Sequence, residues 1–137
     1  MTVETTELRL PSHIEAVSEA AATVAGIINR LAITEEVAFG IDMAVREAVT
    51  NAIVHGNRLD EKKFVEVILK TSPETLEILV HDQGTGFNPD EVPDPTEEEN
   101  ILKTSGRGIF FMRNFMDIVD WSIHSGGGTT VRMIKQL

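Results

Sequence analysis

The sequence predicts an α+β fold, a two-layer sandwich with helices packed on one face of a mixed, mostly antiparallel β-sheet. Three observations carry this. Apolar residues recur at steps of three and four through the first half of the chain. They fall in short, partly alternating runs between turn residues through the second half. No regular strand–helix–strand repeat, the mark of a parallel sheet, runs through the chain. With 137 residues, 42% of them hydrophobic, the sequence can bury one core, so residues 1–137 read as a single domain.

The elements follow in order. Residues 6–10 alternate weakly and read as a first strand. Residues 11–15 open a helix, with Ser12 as cap and Glu15 three residues on, as in a capping box. Ile14, Val17, Ala21, Val24, Ile28 and Leu31 give it one apolar face, and Gly26 would permit close packing. Thr34-Glu35-Glu36 opens a second helix, with acids where the dipole favours them. Its stripe is Val37, Ile41, Ala44, Val45, Ala48 and Ala52, and Gly56-Asn57 ends it after about His55. Residues 64–70 and 76–82 form a hairpin. Residues 87–100, with three prolines and a run of acids, read as a mobile loop. A short helix at 107–116 and strands at 118–124 and 129–137 complete the chain, the last two flanking Gly126-Gly127-Gly128.

Charge and composition exclude several functions. A net charge of −10 argues against a direct nucleic-acid binder, which needs a basic face. A nucleotide can still be held, because small phosphate sites use backbone N–H groups and metal ions. The absence of cysteine removes disulfides, thiolate catalysis and cysteine–zinc sites. No apolar run approaches the ~20 residues of a membrane span, and the first residues lack a signal peptide's pattern. The expectation is a soluble, cytoplasmic protein with no membrane contact.

Four stretches could carry chemistry. In strand 76–82, Asp82 shares a face with Leu76, Ile78 and Val80, so a carboxylate points at the core. A buried, unpaired carboxylate costs several kcal/mol and needs a donor. Alone, a strand-end acid bonding its own turn is the stronger reading. Gly84 and Gly86 follow, and glycines let a ligand approach the backbone. Glu47 and Asn51, four apart, share a helix face with His55 one turn on. They read as a polar rim, or as a general base and a neutral oxygen ligand for Mg²⁺. Gly106-Arg107-Gly108 precedes the third helix, which suits a phosphate at a helix start or a plain turn. It is not a Walker A loop, since Gly-Lys-Ser/Thr is missing. Gly128-Thr129-Thr130 reads as a hairpin turn, or as a hydroxyl beside a base.

In this order, Glu-x-x-x-Asn, Asp-x-Gly-x-Gly, Gly-x-Gly and Gly-Thr-Thr resemble the GHKL (Bergerat-fold) ATPase superfamily. REAVTNAIVHGN and DQGTGFNP resemble its anti-sigma factor serine-protein kinase branch, from bacterial partner-switching systems. The resemblance runs over almost the whole chain, and its first two motifs are specific. It implies Glu47 as catalytic base and Asn51 as Mg²⁺ ligand. Asp82 would accept the adenine amino group, with Gly84 and Gly86 admitting the nucleotide. Gly106, Arg107 and Gly108 would lie along the phosphates of ATP, under a lid at about 88–105. Thr130, ahead of Thr129, would sit near adenine, and His55 and Asn57 would give support.

The implied activity is ATP-dependent phosphorylation of a serine on a STAS-domain anti-sigma factor antagonist, coupled to sequestering a sigma factor. The family also implies a homodimer, through the first strand and helix. Two departures stand out. Bulky Ile-Phe-Phe-Met follows Gly108, and the lid carries Asp90, Glu91, Asp94, Glu97, Glu98 and Glu99, a solvated charge run around a triphosphate. The alternative is an ATP-binding regulatory module with little kinase activity. A histidine-kinase catalytic domain fits less well, since His13 is followed by Ile14 rather than an acid.

Overall fold

The computed structural model describes residues 3–84, 104–124 and 127–137. In chain order these form β1 (Glu4–Pro11), α1 (Ala16–Ile28), α2 (Glu35–Asn51), one π-helical turn (Ala52–Gly56), β2 (Phe64–Thr71), β3 (Thr75–His81), α3 (Thr104–Phe115), β4 (Ile118–Ile123) and β5 (Thr129–Gln136). The loop expected at 87–100 lies outside the described residues. So does the lid, except that its last two residues fall in the first turn of α3.

The strands lie in the order β1-β2-β3-β5-β4. The expected sandwich forms, and every described pairing is antiparallel, so the sheet is not mixed. Strand parity decides which side chains enter the core. Val65, Val67, Leu69, Leu76, Ile78, Val80, Val131 and Met133 are buried on one face, while their neighbours are half-buried or exposed. The helices meet that face through Ala20, Val24, Ile41, Ala44, Val45, Val49 and Met112. Each fully buried large aliphatic contributes about 1.5–3 kcal/mol of transfer free energy. α2 lies between α1 and α3. At Gly40 an added Cβ would sit 3.1–3.2 Å from the Phe115 side chain, so the glycine lets α3 approach α2 closely.

Local capping signals hold at some helix ends and not at others. Thr34 caps α2, its hydroxyl accepting from the Val37 N–H at 3.3 Å. Ser12 does not cap α1. It is buried, its hydroxyl donates to the Lys63 carbonyl at 2.6 Å, and α1 begins at Ala16 without a side-chain cap. Ile14 consequently lies outside the apolar stripe and is 50% exposed. Gly26 faces open space rather than a neighbour, with nothing within 4 Å of an added Cβ. α3 begins at Thr104, earlier than expected, so Gly106 and Gly108 lie inside the helix and not before it. The second helix changes pitch after Asn51: the Asn57 N–H bonds the Ala52 carbonyl, five residues back, at 2.8 Å. Such π-turns occur often at functional sites.

Candidate functional site

A narrow cleft opens between the end of α2 and the sheet. Ala48, Asn51 and Ala52 form one wall, Val80, Asp82, Thr129 and Val131 the floor, and Met112 with Trp121 the other wall. It is apolar apart from Asn51, Asp82 and Thr129.

Parity puts Asp82 at the floor, one step past Val80, and it is 4% exposed. Its Oδ1 accepts from the Gly84 N–H at 3.0 Å and from the Thr129 N–H at 3.2 Å. None of the described residues donates to Oδ2. Burial raises this carboxyl above its ordinary value. The two backbone donors, then His81 and Lys63, pull the other way without cancelling the rise.

Glycines close in on Asp82 from three sides. A Cβ on Gly56 would overlap Oδ2, and one on Gly84 would overlap the Gly56 carbonyl. A Cβ on Gly128, whose φ is +97°, would lie 2.5 Å from the Asp82 carbonyl. What the missing side chain of Gly84 admits is therefore neighbouring backbone. Gly86 is outside the described residues.

Asn51 ends α2 on the cleft, buried, with Nδ2 lacking a hydrogen-bond partner among the described residues. A buried amide left this way costs about 1–3 kcal/mol, which a ligand can recover. Glu47, one turn earlier, is half-buried and points at the first turns of α3. There a Cβ on Gly108 would overlap its Oε2. Burial raises the Glu47 carboxyl as well. Gly106 and Arg107 lie in that same first turn of α3, and the Arg107 side chain is outside the description. Among the described residues no three His, Asp or Glu side chains converge on a possible metal position.

The structure thus brings Asn51, Asp82 and Thr129 to one cleft, while Glu47, one helical turn before Asn51, meets Gly108 outside the residues that line it. Thr130 is not among them. β5 pairs Thr130 with His81, so its side chain lies on the opposite face of the sheet. Its hydroxyl bonds His81 Nδ1 at 2.9 Å and His124 Nε2 at 2.8 Å. Thr129 is the buried threonine of the cleft. His55 is exposed, while Asn57 is 1% exposed. Sequence reasoning missed Gly56 and Trp121 as residues of the site. Trp121 alternates with Val119 along β4, a pattern that would have put it on the core face.

Comparison with known proteins gives a concordant result. Residues 10–135 match the family model described as the histidine kinase-like ATPase domain. The chain is 30% identical to the serine-protein kinase RsbW of Bacillus velezensis, over 98% of this chain and 87% of that protein. It is 37% identical to the anti-sigma F factor of Bacillus cytotoxicus, over 88% of this chain and 84% of that one. A solved structure of the RsbU and RsbW domains of a Mycobacterium tuberculosis protein superposes with a TM-score of 0.71 at 18% identity. It matches 98% of this chain and 32% of the other, and at that identity it speaks for the fold.

Proposed function

The chain belongs to the histidine kinase-like ATPase family, and on that premise we propose that it is an ATP-dependent serine-protein kinase that also acts as an anti-sigma factor. Its substrate is a serine on a STAS-domain antagonist, and its second partner is a sigma factor. Residues 1–137 act as one ATP-binding domain. It works as a homodimer in the cytoplasm. No described helix is long and apolar enough to cross a membrane.

One observation supports this reading most. Asp82 lies at the floor of an apolar cleft with Oδ1 occupied by backbone donors and Oδ2 without one among the described residues. The apolar slot, about 10 Å³ as it stands, has room for one water, so a purine enters by parting its walls and brings an amino group that can donate to that oxygen. Thr129 lies beside it and takes the role near adenine that the resemblance implies for Thr130. Gly84 and Gly86 border the nucleotide, and Gly106, Arg107 and Gly108 run along its phosphates beneath a lid at about 88–105.

Asn51 fits Mg²⁺. Its neutral amide oxygen is the ligand a hard cation prefers, shared with phosphates and water, while the unpartnered buried Nδ2 is a donor that suits a phosphate oxygen beside the ion. Bound there, Mg²⁺ would neutralise charge on the phosphates. Glu47 does the proton work. The serine oxygen bonds to the γ-phosphorus as the bond to the β-phosphate oxygen breaks, releasing ADP, and the hydroxyl proton passes to Glu47. A carboxyl raised by burial accepts that proton more readily than one at its ordinary value.

The test is single-turnover transfer of γ-labelled phosphate to the cognate antagonist. Glu47→Gln should slow transfer by about 10²-fold or more, the scale of lost general-base catalysis, while ATP affinity stays within about twofold. Undiminished transfer would remove Glu47 from the chemistry. ATP and antagonist binding without transfer in the unsubstituted protein would favour the regulatory-module reading.

A further inference from the structure

Next to the cleft, three residues close a ring of hydrogen bonds. Asn57 Nδ2 donates to the Phe64 carbonyl at 3.1 Å. The Phe64 N–H donates to Gln83 Oε1 at 2.6 Å. The Gln83 N–H donates to Asn57 Oδ1 at 2.7 Å. The second Asn57 N–H donates to Ser12 Oγ at 2.9 Å, and Ser12 in turn donates to the Lys63 carbonyl. Asn57 is buried, and the opposite orientation of its amide would set donor against donor at Gln83 and acceptor against acceptor at Phe64. Its amide is thus specified on every side.

The position of this ring matters more than its size. Asn57 follows Gly56, whose Cα lies against Asp82 Oδ2 and whose carbonyl lies against Gly84. Gln83 sits between Asp82 and Gly84. The Asp82 backbone is held on the β5 side by its N–H bond to the Thr129 carbonyl at 2.9 Å. On the α2 side it is held through Gln83 by Asn57. We infer that Asn57 is a positioning residue for the adenine acceptor: its amide, through the ring with Gln83 and Phe64, sets where the Asp82 carboxylate points. This rests on the reading of Asp82 as that acceptor.

A residue that only fastened a turn would lower stability and leave the affinity of folded protein unchanged. A double-mutant cycle separates the two roles. Mg-ATP affinity, from Trp121 fluorescence or calorimetry, and Tm are measured for Asn57→Ala, Asp82→Asn and the double variant. Asn57→Ala should weaken ATP about tenfold, the scale of a lost hydrogen bond to a charged group. With Asp82→Asn already present the further loss should be under about twofold, while the Tm drop is the same in both backgrounds. Equal affinity loss in both backgrounds, or none, overturns the inference. If Asn57→Ala does not fold, Gln83→Ala takes its place, since Gln83 is exposed and its side chain contributes one bond of the ring. A smaller loss confined to the Asp82 background supports the inference, and an unchanged affinity overturns it. ATP affinity unchanged by Asp82→Asn alone is a distinct result: it overturns the adenine assignment and the positioning role with it.

Discussion

At Asp82, folding and binding pull in opposite directions. Burial raises its carboxyl, so between the ordinary value of 3.8 and the raised one the folded chain holds more proton than the unfolded chain. Stability therefore falls as pH rises through that window, and above it the buried charge carries its full desolvation cost. Asn at this position keeps an oxygen for the Gly84 and Thr129 N–H groups and removes the charge. Asp82→Asn should leave Tm at pH 7 unchanged or higher and flatten the fall in stability as pH rises from 4. Thermal melts across pH check this, and a marked destabilisation at pH 7 would contradict it. Parity alone made Asp82 legible in the sequence, because the side-chain period of a strand is 2. The same rule could not choose between Thr129 and Thr130. That choice depends on β5 pairing Thr130 with His81, a register formed across about 50 residues.

At the scale of elements, α2 and α3 meet where the chemistry is assigned. Gly108 leaves room for the Glu47 carboxylate, and Gly40 leaves room for Phe115. Alanine at 108 would improve helix propensity by roughly 1 kcal/mol while driving its Cβ into a mobile carboxylate end. Gly108→Ala should thus be neutral or slightly stabilising, keep ATP affinity within about threefold, and slow phosphotransfer about tenfold or more by displacing Glu47. Denaturant melts and the single-turnover assay run side by side test this, and an unimpaired rate would remove the contact from the mechanism. Helix periodicity made α2 legible, with Thr34 as its cap. The π-turn was hidden because one added residue per turn barely changes an apolar stripe, and Gly56 read as a stop signal. Its role against Asp82 is a tertiary fact. So is the failure of Ser12 to cap α1: its hydroxyl is engaged by Lys63, 51 residues away.

Across the whole molecule, the sandwich places an α2 end, two strand ends and one wall from α3 around a single cleft. The core pattern was legible because alternation and the helical stripe agree on one buried face, as Ile78, Val80, Ile41 and Val45 show. The strand order was not, since β5 inserts between β3 and β4. That insertion brings Thr129 beside Asp82 and turns Trp121 into the cleft. Trp121 is the single tryptophan of the chain, with the Arg113 guanidinium 5.2 Å from its ring centroid. Its emission therefore reports on the cleft itself. Titrating Mg-ATP while following Trp121 fluorescence should give a saturable change in the unsubstituted protein, and a curve shifted to at least about tenfold higher ATP in Asp82→Asn. Superimposable curves for the two proteins, or no response from either while ATP binding is seen calorimetrically, would place the nucleotide elsewhere.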